Sequence, residues 1–325
     1  MSVLVFLEQH EHALSLGSLG VLTKAAALDP DVAAVLVGND ELEPFAREAG
    51  RYGAATVFTV VDAFPSPLPG PRIDAVVELV RRFPNFDTIL FSNSVLAADV
   101  AAGLAARLEA GINWDLVDLE FRDGQPVGKQ PMLQESQVAD VGWRSPQRIA
   151  LFRAGSFAAD PSAPSAPERE PTVESLTVAF AEHTLAARVI ERTLRADEGP
   201  SLGDADVIVA GGIGVGSKEG FEIAEQLAAA LGGAVGATRA AVYKGWYPAS
   251  AQIGQTGKTV SPKLYVALGI SGAVQHKVGM QNSKTIVAIN KDPHAPIFEF
   301  SDVAVVGDVH TVVPELIDLL RKHAG

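Results

Sequence analysis

Glycines and polar residues that could hold a phosphate-bearing ligand concentrate in the last third of the chain. After residue 205 the sequence predicts a strand over Asp206–Ala210, then a glycine-rich turn, then a helix. Such a turn lets backbone N–H groups approach a phosphate at the N-terminus of a helix. The glycines lack the Gly-x-Gly-x-x-Gly spacing of dinucleotide-binding turns, and Lys218 does not complete a Walker loop. The turn alone leaves two interpretations open, a phosphate-binding turn or a tight connection without a ligand.

Two further groups of polar residues follow in the same region. Arg239 comes directly after a predicted strand, which is where ligands collect in open parallel sheets. The alternative for this residue is a surface salt-bridge arginine. Residues 255–258, Gln-Thr-Gly-Lys, form a polar loop with a conformationally permissive glycine.

A second glycine turn, at residues 269–272, follows the predicted buried strand Leu264–Leu268. It opens a helix that contains Gln275 and His276. A lone histidine in a helix is more often structural. Its position in the first turn after a glycine loop favours contact with a ligand.

Polar residues also end the last two predicted strands. Thr285–Ile289 is followed by Asn290, and Val303–Val306 is followed by Gly307 and Asp308. Successive strands therefore deliver polar residues at their carboxyl ends. That arrangement suits a long ligand bound along one edge of a sheet.

The first half of the chain alternates strand and helix signals, and no set of catalytic residues stands out there. The alternation indicates a parallel sheet covered on both faces. Beyond Asp115 four strand-like runs follow without helices, and we expect them to extend this sheet in antiparallel fashion. The predicted strands are Val3–Leu7, Ala33–Val37, Thr56–Val61, Thr88–Phe91, Leu116–Phe121, Lys129–Leu133, Ser136–Val141 and Ile149–Phe152. The predicted helices are Gly17–Leu28, Ile73–Arg82 and Leu96–Glu109.

The length of 325 residues suits two domains better than one. Residues 158–171 are rich in Pro, Ala and Ser and predict a surface loop or hinge, and residues 195–204 form a second, polar break. We therefore expect an α/β fold in two domains. Residues 1–199 would form a mixed-sheet, nucleotide-binding-like domain, and residues 200–325 a doubly wound domain with a parallel sheet.

Composition excludes several classes of function. The formal net charge of −13 at pH 7, with no basic block, disfavours nucleic acid and acidic membrane surfaces as partners. The absence of cysteine removes disulfides and thiolate metal sites, and the seven histidines show no metal-binding spacing, so we expect no metal site. No apolar run approaches the ~18 residues of a membrane span, and no signal-peptide pattern is present. These features predict a cytoplasmic protein without membrane insertion.

The segments LYVALGISGAVQHKVGM, SKTIVAINKDPHAPIFEFSDVAVVGD and VVPEL resemble the signature of the electron transfer flavoprotein α subunit. The resemblance is dense over residues 206–325 and extends in outline over residues 1–190. It implies FAD in the second domain and a heterodimer with a β subunit that holds AMP and contacts the first domain. It also implies a carrier without a substrate or catalytic residues of its own. Such a carrier moves electrons from flavoprotein dehydrogenases of the acyl-CoA class, in fatty acid β-oxidation, to a membrane quinone oxidoreductase.

The resemblance also implies the contacts to FAD. Arg239 would lie over the isoalloxazine ring beside Thr238, Thr256 near N5, and His276 facing the C2 carbonyl. A guanidinium and an imidazole at that edge would stabilise the negative charge that one-electron reduction places there. The remaining implied contacts are Ile253, Gly254, Gln255, Ser271, Gly272, Ala273, Val274, Gln275, Asn290, Asp308 and Val309.

One residue departs from the family pattern. Many relatives carry Arg in a Gly-Gly-Arg-Gly turn, and this chain has Ile213 between Gly212 and Gly214. A positive charge that the resemblance places near the flavin is therefore missing. Ile213 would either alter the redox tuning or pack against the partner subunit.

Three alternatives to the acyl-CoA-linked carrier remain open. A nicotinamide-dependent dehydrogenase would need an acidic ribose-binding residue about 20 positions after the glycine turn, and Leu231–Ala241 offers none. The second alternative is a paralogue that serves electron bifurcation or nitrogen-fixation electron supply. The third is a structural relative that binds no flavin.

Overall fold

The computed structural model describes residues 2–10, 13–38, 41–62, 64, 67–133, 137–163, 169–190, 202–203 and 205–323. The chain divides into two compact units, Met1–Thr193 and Leu194–Gly325. The domain boundary predicted near residue 200 lies outside the described residues. We call these the N-terminal and the C-terminal unit.

The N-terminal unit is built on a seven-stranded sheet with helices on both faces. Its strands are β1 (Ser2–Leu7), β2 (Gln9–His10), β3 (Ala13–Leu14), β4 (Ala33–Gly38), β5 (Thr56–Val61), β6 (Phe86–Ser92), β7 (Gly111–Leu116), β8 (Asp118–Arg122), β9 (Gln125–Met132), β10 (Gln137–Val141), β11 (Arg148–Phe152) and β12 (Thr172–Ser175). Its helices are α1 (Leu16–Leu28), α2 (Glu43–Gly50), α3 (Pro69–Arg82), α4 (Val95–Leu108) and α5 (Glu182–Ala186). The sheet order is β12-β5-β4-β1-β6-β11-β7.

Burial on both faces explains why the central strands are continuous apolar runs. Along β1, Val3, Val5 and Leu7 pack into the core beneath α1 and α2. Leu4 and Phe6 point the other way, into the core beneath α3 and α4. Side chains alternate between the faces of a strand, so a strand covered on both sides needs apolar residues at every position.

The predicted antiparallel extension of this sheet is wrong. Every pair of neighbouring strands in the seven-stranded sheet is parallel, so the sheet is not mixed. The antiparallel strands form a separate sheet of order β10-β9-β8. The predicted strand Leu116–Phe121 is interrupted at Val117, next to the left-handed backbone of Asp115 (φ +58°). There the chain leaves the main sheet, and it returns through β11 between β6 and β7.

The C-terminal unit contains a six-stranded sheet whose strand pairs are all parallel. The α/β class and the doubly wound parallel sheet of this unit are confirmed. Its strands are β13 (Val207–Gly211), β14 (Ala234–Thr238), β15 (Gln252–Ile253), β16 (Leu264–Leu268), β17 (Ile286–Asn290) and β18 (Val303–Val306). Its helices are α6 (Glu222–Leu231), α7 (Arg239–Tyr243), α8 (Val274–Lys277) and α9 (Val309–His323).

The strand order β15-β14-β13-β16-β17-β18 reverses between β13 and β16. Ligands of open α/β sheets bind at the carboxyl ends of the strands on either side of such a reversal. Helices α6 and α9 cover one face of the sheet, with Leu227, Val313 and Ile317 in that core. The other face is covered by α8, the 3₁₀ helix Pro296–Phe300 and irregular segments, which bury Ile270, Met280 and Ile297, among others.

No helix in the described part of the chain is long and apolar enough to cross a membrane. Within the same residues, no group of three or more His, Asp or Glu side chains could hold a metal ion.

Candidate functional site

Two glycine turns meet at the reversal point of the C-terminal sheet. The amide of Gly212 donates to the carbonyl of Leu268 at 2.9 Å, and that of Gly214 donates to Gly269 at 2.9 Å. A Cβ atom at Gly214 would lie 2.5 Å from the Cα of Gly269, which has a φ of +59°. Backbone packs directly on backbone here, so a side chain at either position would force the turns apart.

The turn that follows β16 presents unpaired backbone donors at the carboxyl edge. Within the described part of the chain, the amides of residues 271–275 donate to no acceptor. The turn is fixed from behind, because the Ile297 amide donates to the carbonyl of Ser271 at 3.0 Å. Gly272 has a φ of +90°, and a Cβ atom there would clash with the backbone of Ile297. Exposed N–H groups in a fixed turn fit the phosphate groups of a dinucleotide such as FAD.

His276 lies directly behind this turn and is only 6% exposed. Its Nδ1 is 3.1 Å from the carbonyl oxygen of Ile253, and its Nε2 is 2.9 Å from the hydroxyl of Tyr265. Burial lowers the pKa of His276 to about 4, although the hydrogen bond with Ile253 acts in the opposite direction. The imidazole is therefore neutral at neutral pH. Both of its nitrogens have partners within the chain, so donation to a flavin carbonyl would require one of these hydrogen bonds to break.

The polar loop predicted at residues 255–258 packs against the same turn. The Gln255 amide donates to the Gln275 carbonyl at 2.7 Å, and Gly254 (φ +135°) leaves no room for a Cβ atom beside that oxygen. The Thr256 hydroxyl is 3.1 Å from the Nε2 of Gln252 and is exposed. The structure therefore brings the residues that were expected around the flavin ring, Ile253 to Thr256 and His276, together with Gln275, which was expected at the pyrophosphate.

Arg239 is the first residue of α7 and is exposed at the carboxyl end of β14. Thr238 is the N-cap residue, and its hydroxyl accepts from the Ala241 amide at 3.4 Å. The Arg239 guanidinium lies over the ring of Tyr243, 4.9 Å from its centroid, and donates to its hydroxyl at 3.1 Å. No carboxylate in the described part of the chain pairs with Arg239. The surface salt bridge that was the alternative for this residue is therefore not formed there.

Asn290 and Asp308 support backbone turns. The Asn290 side chain donates to the Ile270 carbonyl at 2.8 Å and accepts from the Asp292 amide at 3.0 Å. The Asp308 carboxylate accepts from the His310 amide at 2.8 Å, at the start of α9. The side chain of the next residue, Val309, is buried in the core and cannot reach a ligand at the edge.

Ile213 lies in a short 3₁₀ turn at residues 213–215, and its side chain is 40% exposed. The turn is tied to α9, because the Nε2 of His310 lies 3.0 Å from the Val215 carbonyl. An apolar side chain thus stands at the open edge of the sheet where the resemblance implies a cation.

The corresponding edge of the N-terminal unit is filled by its own side chains. Glu8, which follows β1, is buried and hydrogen-bonds through its carboxylate to the hydroxyl of Ser94. Its amide donates to the Ser18 hydroxyl at 3.1 Å. The buried Arg72 pairs with Asp62 at 3.3 Å. We therefore assign the candidate ligand site to the C-terminal unit.

Comparison with known proteins agrees with this assignment. Residues 3–181 match the family model described as the electron transfer flavoprotein domain, and residues 201–281 match the electron transfer flavoprotein FAD-binding domain. The α subunit of Mycobacterium leprae is 38% identical over 99% of both chains. The chain belongs to the electron transfer flavoprotein α-subunit family.

Two further relatives are similar to this chain over most of its length. The α subunit of Bacillus subtilis is 38% identical over 90% of this chain and 89% of its own length. A protein named FixB from Clostridium saccharobutylicum is 36% identical over 97% of this chain and 95% of its own. The predicted FAD contacts from Ile213 to His276 lie inside the matched FAD-binding segment. Asn290, Asp308 and Val309 lie beyond it.

Sequence reasoning missed three residues of the site. Tyr265 carries the only polar side-chain atom of strand β16, and a buried hydroxyl needs a partner. Tyr243 stands four residues after Arg239 on one helix, a spacing that brings side chains together. His310 follows the capping Asp308, but no signal in the sequence points to its contact with the glycine turn.

Proposed function

We propose that this chain is the FAD-holding subunit of a two-subunit electron carrier and acts on no small-molecule substrate of its own. Family membership supports the proposal, because the matched C-terminal segment is described as an FAD-binding domain. The α-subunit family also implies a β partner. We propose that the N-terminal unit contacts this partner and that the partner holds AMP, as the family resemblance implies.

The observation that carries the proposal is the set of unpaired amides in the turn 271–275, at the reversal point of the sheet. A pyrophosphate is a doubly anionic acceptor, and N–H groups held in one orientation bind it without losing conformational freedom. Gly272 allows the turn its left-handed backbone, and Gly214 allows the two glycine turns to approach. Together these residues would orient the cofactor along the carboxyl edge.

The neighbouring side chains would surround the reactive ring. FAD supplies one- and two-electron transfer when bound. The Arg239 guanidinium would favour added negative charge on the ring, and the Thr256 hydroxyl and the exposed side-chain amide of Gln255 would donate hydrogen bonds to its polar edge. Thr238 would hold Arg239 in place by capping α7. We propose Asn290 and Asp308, with the backbone of Val309, for the ribityl and adenosine end.

For the direction of electron flow we propose flavoprotein dehydrogenases of the acyl-CoA class as donors and a membrane quinone oxidoreductase as acceptor. The alternative is a paralogue for electron bifurcation or nitrogen-fixation electron supply. The similarity to a FixB protein, 36% identical, and the isoleucine at position 213 are the observations behind that alternative, whereas the relatives that are 38% identical are named α subunits. Reduction of the purified heterodimer by NADH would support it. Reduction only by an acyl-CoA dehydrogenase with its substrate would support the first branch.

The central proposal is tested by producing this chain alone and together with its β subunit. We expect about one FAD per αβ pair and poor retention of FAD by this chain alone, because the candidate ring contacts Arg239, Gln255 and Thr256 are exposed. The measurements are the visible spectrum and the flavin-to-protein ratio after gel filtration. A heterodimer that elutes without flavin after incubation with excess FAD would refute the function. A flavin-bound single chain that the partner leaves unchanged would refute the role of the partner.

A further inference from the structure

The most deeply buried pair of titratable groups in the candidate site is Tyr265 and His276. Tyr265 is fully buried in the central strand β16, and His276 is 6% exposed in α8. The hydroxyl oxygen and Nε2 are 2.9 Å apart, within the range of a good hydrogen bond. The expected flavin contacts leave Tyr265 without a role.

The partners of the imidazole determine where its proton lies. Nδ1 is 3.1 Å from the carbonyl oxygen of Ile253, and a carbonyl can only accept a hydrogen bond. Nδ1 therefore carries the proton and donates. A neutral imidazole has a single N–H, so Nε2 is the acceptor and must receive the hydroxyl proton of Tyr265.

Both hydrogen bonds join the imidazole to fixed strands. Ile253 ends β15, and Tyr265 lies in β16 with parallel neighbours on both sides, Ile208 and Ile286. The hydroxyl of Tyr265 forms no other hydrogen bond in the described part of the chain. Each group thus pairs with a buried polar atom of the other. A buried polar atom without a partner would lower the stability of the fold considerably.

Few other groups could compete for the ring nitrogens. On α8 itself the neighbouring Lys277 lies over the ring of Phe300, 5.0 Å from its centroid. From β15 only the Ile253 carbonyl reaches the imidazole, and from β16 only the Tyr265 hydroxyl does, among the residues that the structure describes. No charged side chain contacts the ring there.

We propose that Tyr265 is a positioning residue of the flavin site: its hydroxyl holds His276 as the neutral Nδ1–H tautomer, with Nε2 turned into the core. This proposal rests on the proposed function, because the site is a flavin site only if the chain holds FAD. In this arrangement His276 gives the cofactor neither an N–H donor nor a positive charge. It acts by joining α8, and so the turn 271–275, to β15.

The test is ¹⁵N nuclear magnetic resonance of the FAD-loaded heterodimer with labelled histidine. The His276 signals are assigned by their loss in a His276→Gln variant. At pH 7 we expect a protonated Nδ1 and an unprotonated, hydrogen-bonded Nε2. A protonated Nε2 in the parent protein would overturn the proposal before any further variant is made.

Tyr265→Phe removes the hydroxyl and keeps the volume of the ring. Loss of a donor to the neutral form should raise the His276 pKa by about one unit, a tenfold change in its protonation equilibrium. The Nε2 signal should shift, and the first reduction potential should gain a pH dependence below pH 6. Tyr52→Phe, which removes a partly exposed hydroxyl in the N-terminal unit, is the matched control and should change neither.

Identical ¹⁵N shifts and identical titration curves in the parent and Tyr265→Phe would refute the positioning role. If the parent heterodimer binds no FAD, the proposed function fails. The tautomer of His276 and its response to Tyr265→Phe still decide the present proposal, because those signals do not depend on the flavin.

Discussion

Replacing His276 by glutamine should remove one specific source of acid instability. In the folded protein burial holds the pKa of His276 at about 4, against an ordinary value of 6.5. Between these pH values the unfolded chain binds a proton that the folded chain does not, so the free energy of unfolding falls as the pH falls. The difference of about 2.5 pKa units corresponds to a loss of about 3 kcal/mol, complete below about pH 4. At pH 7 both states are neutral and this term vanishes.

The assay is thermal unfolding of the FAD-loaded heterodimer between pH 4 and pH 7, for the parent and His276→Gln. The variant loses the hydrogen bonds of the imidazole at all pH values. Because glutamine does not titrate, the variant's free energy of unfolding lacks the acid-dependent contribution of His276. About 3 kcal/mol corresponds to roughly 10 °C in the midpoint of the affected transition. The gap between the two curves should shrink by that amount on acidification. His294→Gln, at an exposed position, is the control and should run parallel to the parent. Parallel curves for the parent and His276→Gln from pH 6.5 to pH 4 would show that the imidazole is not buried and neutral.

Three further predictions concern the cofactor. Arg239→Ala should lower the first reduction potential by some tens of millivolts. The upper limit is about 170 mV, for a full charge about 4 Å away at an effective dielectric of 20. An unchanged potential in spectroelectrochemistry would show that Arg239 does not lie at the ring. Ile213→Arg should raise that potential for the same reason, whereas weaker αβ association with no change in potential would indicate that Ile213 packs against the partner. Gly212→Ala should abolish flavin retention, because its Cβ atom would clash with the carbonyl of Gly269; Gly142→Ala, where a Cβ atom meets nothing within 4 Å, is the control in a flavin-to-protein assay.

Local pattern was enough to predict most strands. The runs Thr56–Val61, Leu264–Leu268 and Val303–Val306 match β5, β16 and β18 residue for residue. The prediction Ala33–Val37 is one residue shorter than β4 at its C-terminal end, and Thr285–Ile289 is shifted from β17 by one residue at both ends. Apolar side chains at every position of a buried strand give a signal that needs no knowledge of the rest of the fold.

The path of the chain between β7 and β11 was not predictable in the same way. Strand-like runs show where strands occur but not which neighbour each one joins, and pairing depends on contacts between residues far apart in sequence. Val117 separates β7 from β8, two residues after the left-handed backbone of Asp115 inside β7, and nothing in these residue types requires a break there. The antiparallel hairpins are therefore visible in the sequence, but their separation from the main sheet is not.

The candidate site was also predictable only in part. The glycine turns and the polar residues after each strand were predicted from spacing, because a close backbone approach requires glycine. The hydrogen bond between Tyr265 and His276 was not, because it joins a strand residue to a helix residue across the core. His276 was expected to be a donor to the flavin, and in the structure both of its ring nitrogens have partners within the chain. Its burial and its two partners could be read only from the folded chain.

Residue 213, Arg239 and His276 were the three positions considered as sources of positive charge near the flavin ring, and they differ in the charge that they would supply. The position of Ile213 supplies none, and His276 is neutral at neutral pH because burial holds its pKa at about 4. Of these three only Arg239 would supply a positive charge at the proposed flavin site, and its guanidinium is exposed and stacked on Tyr243. Solvent screens an exposed charge more than a buried one, so we expect its effect on a flavin bound there to be weaker than the Coulomb ceiling. The turn 271–275 adds dipoles rather than charges. A carrier built in this way should favour the reduced flavin less than one with an arginine at position 213.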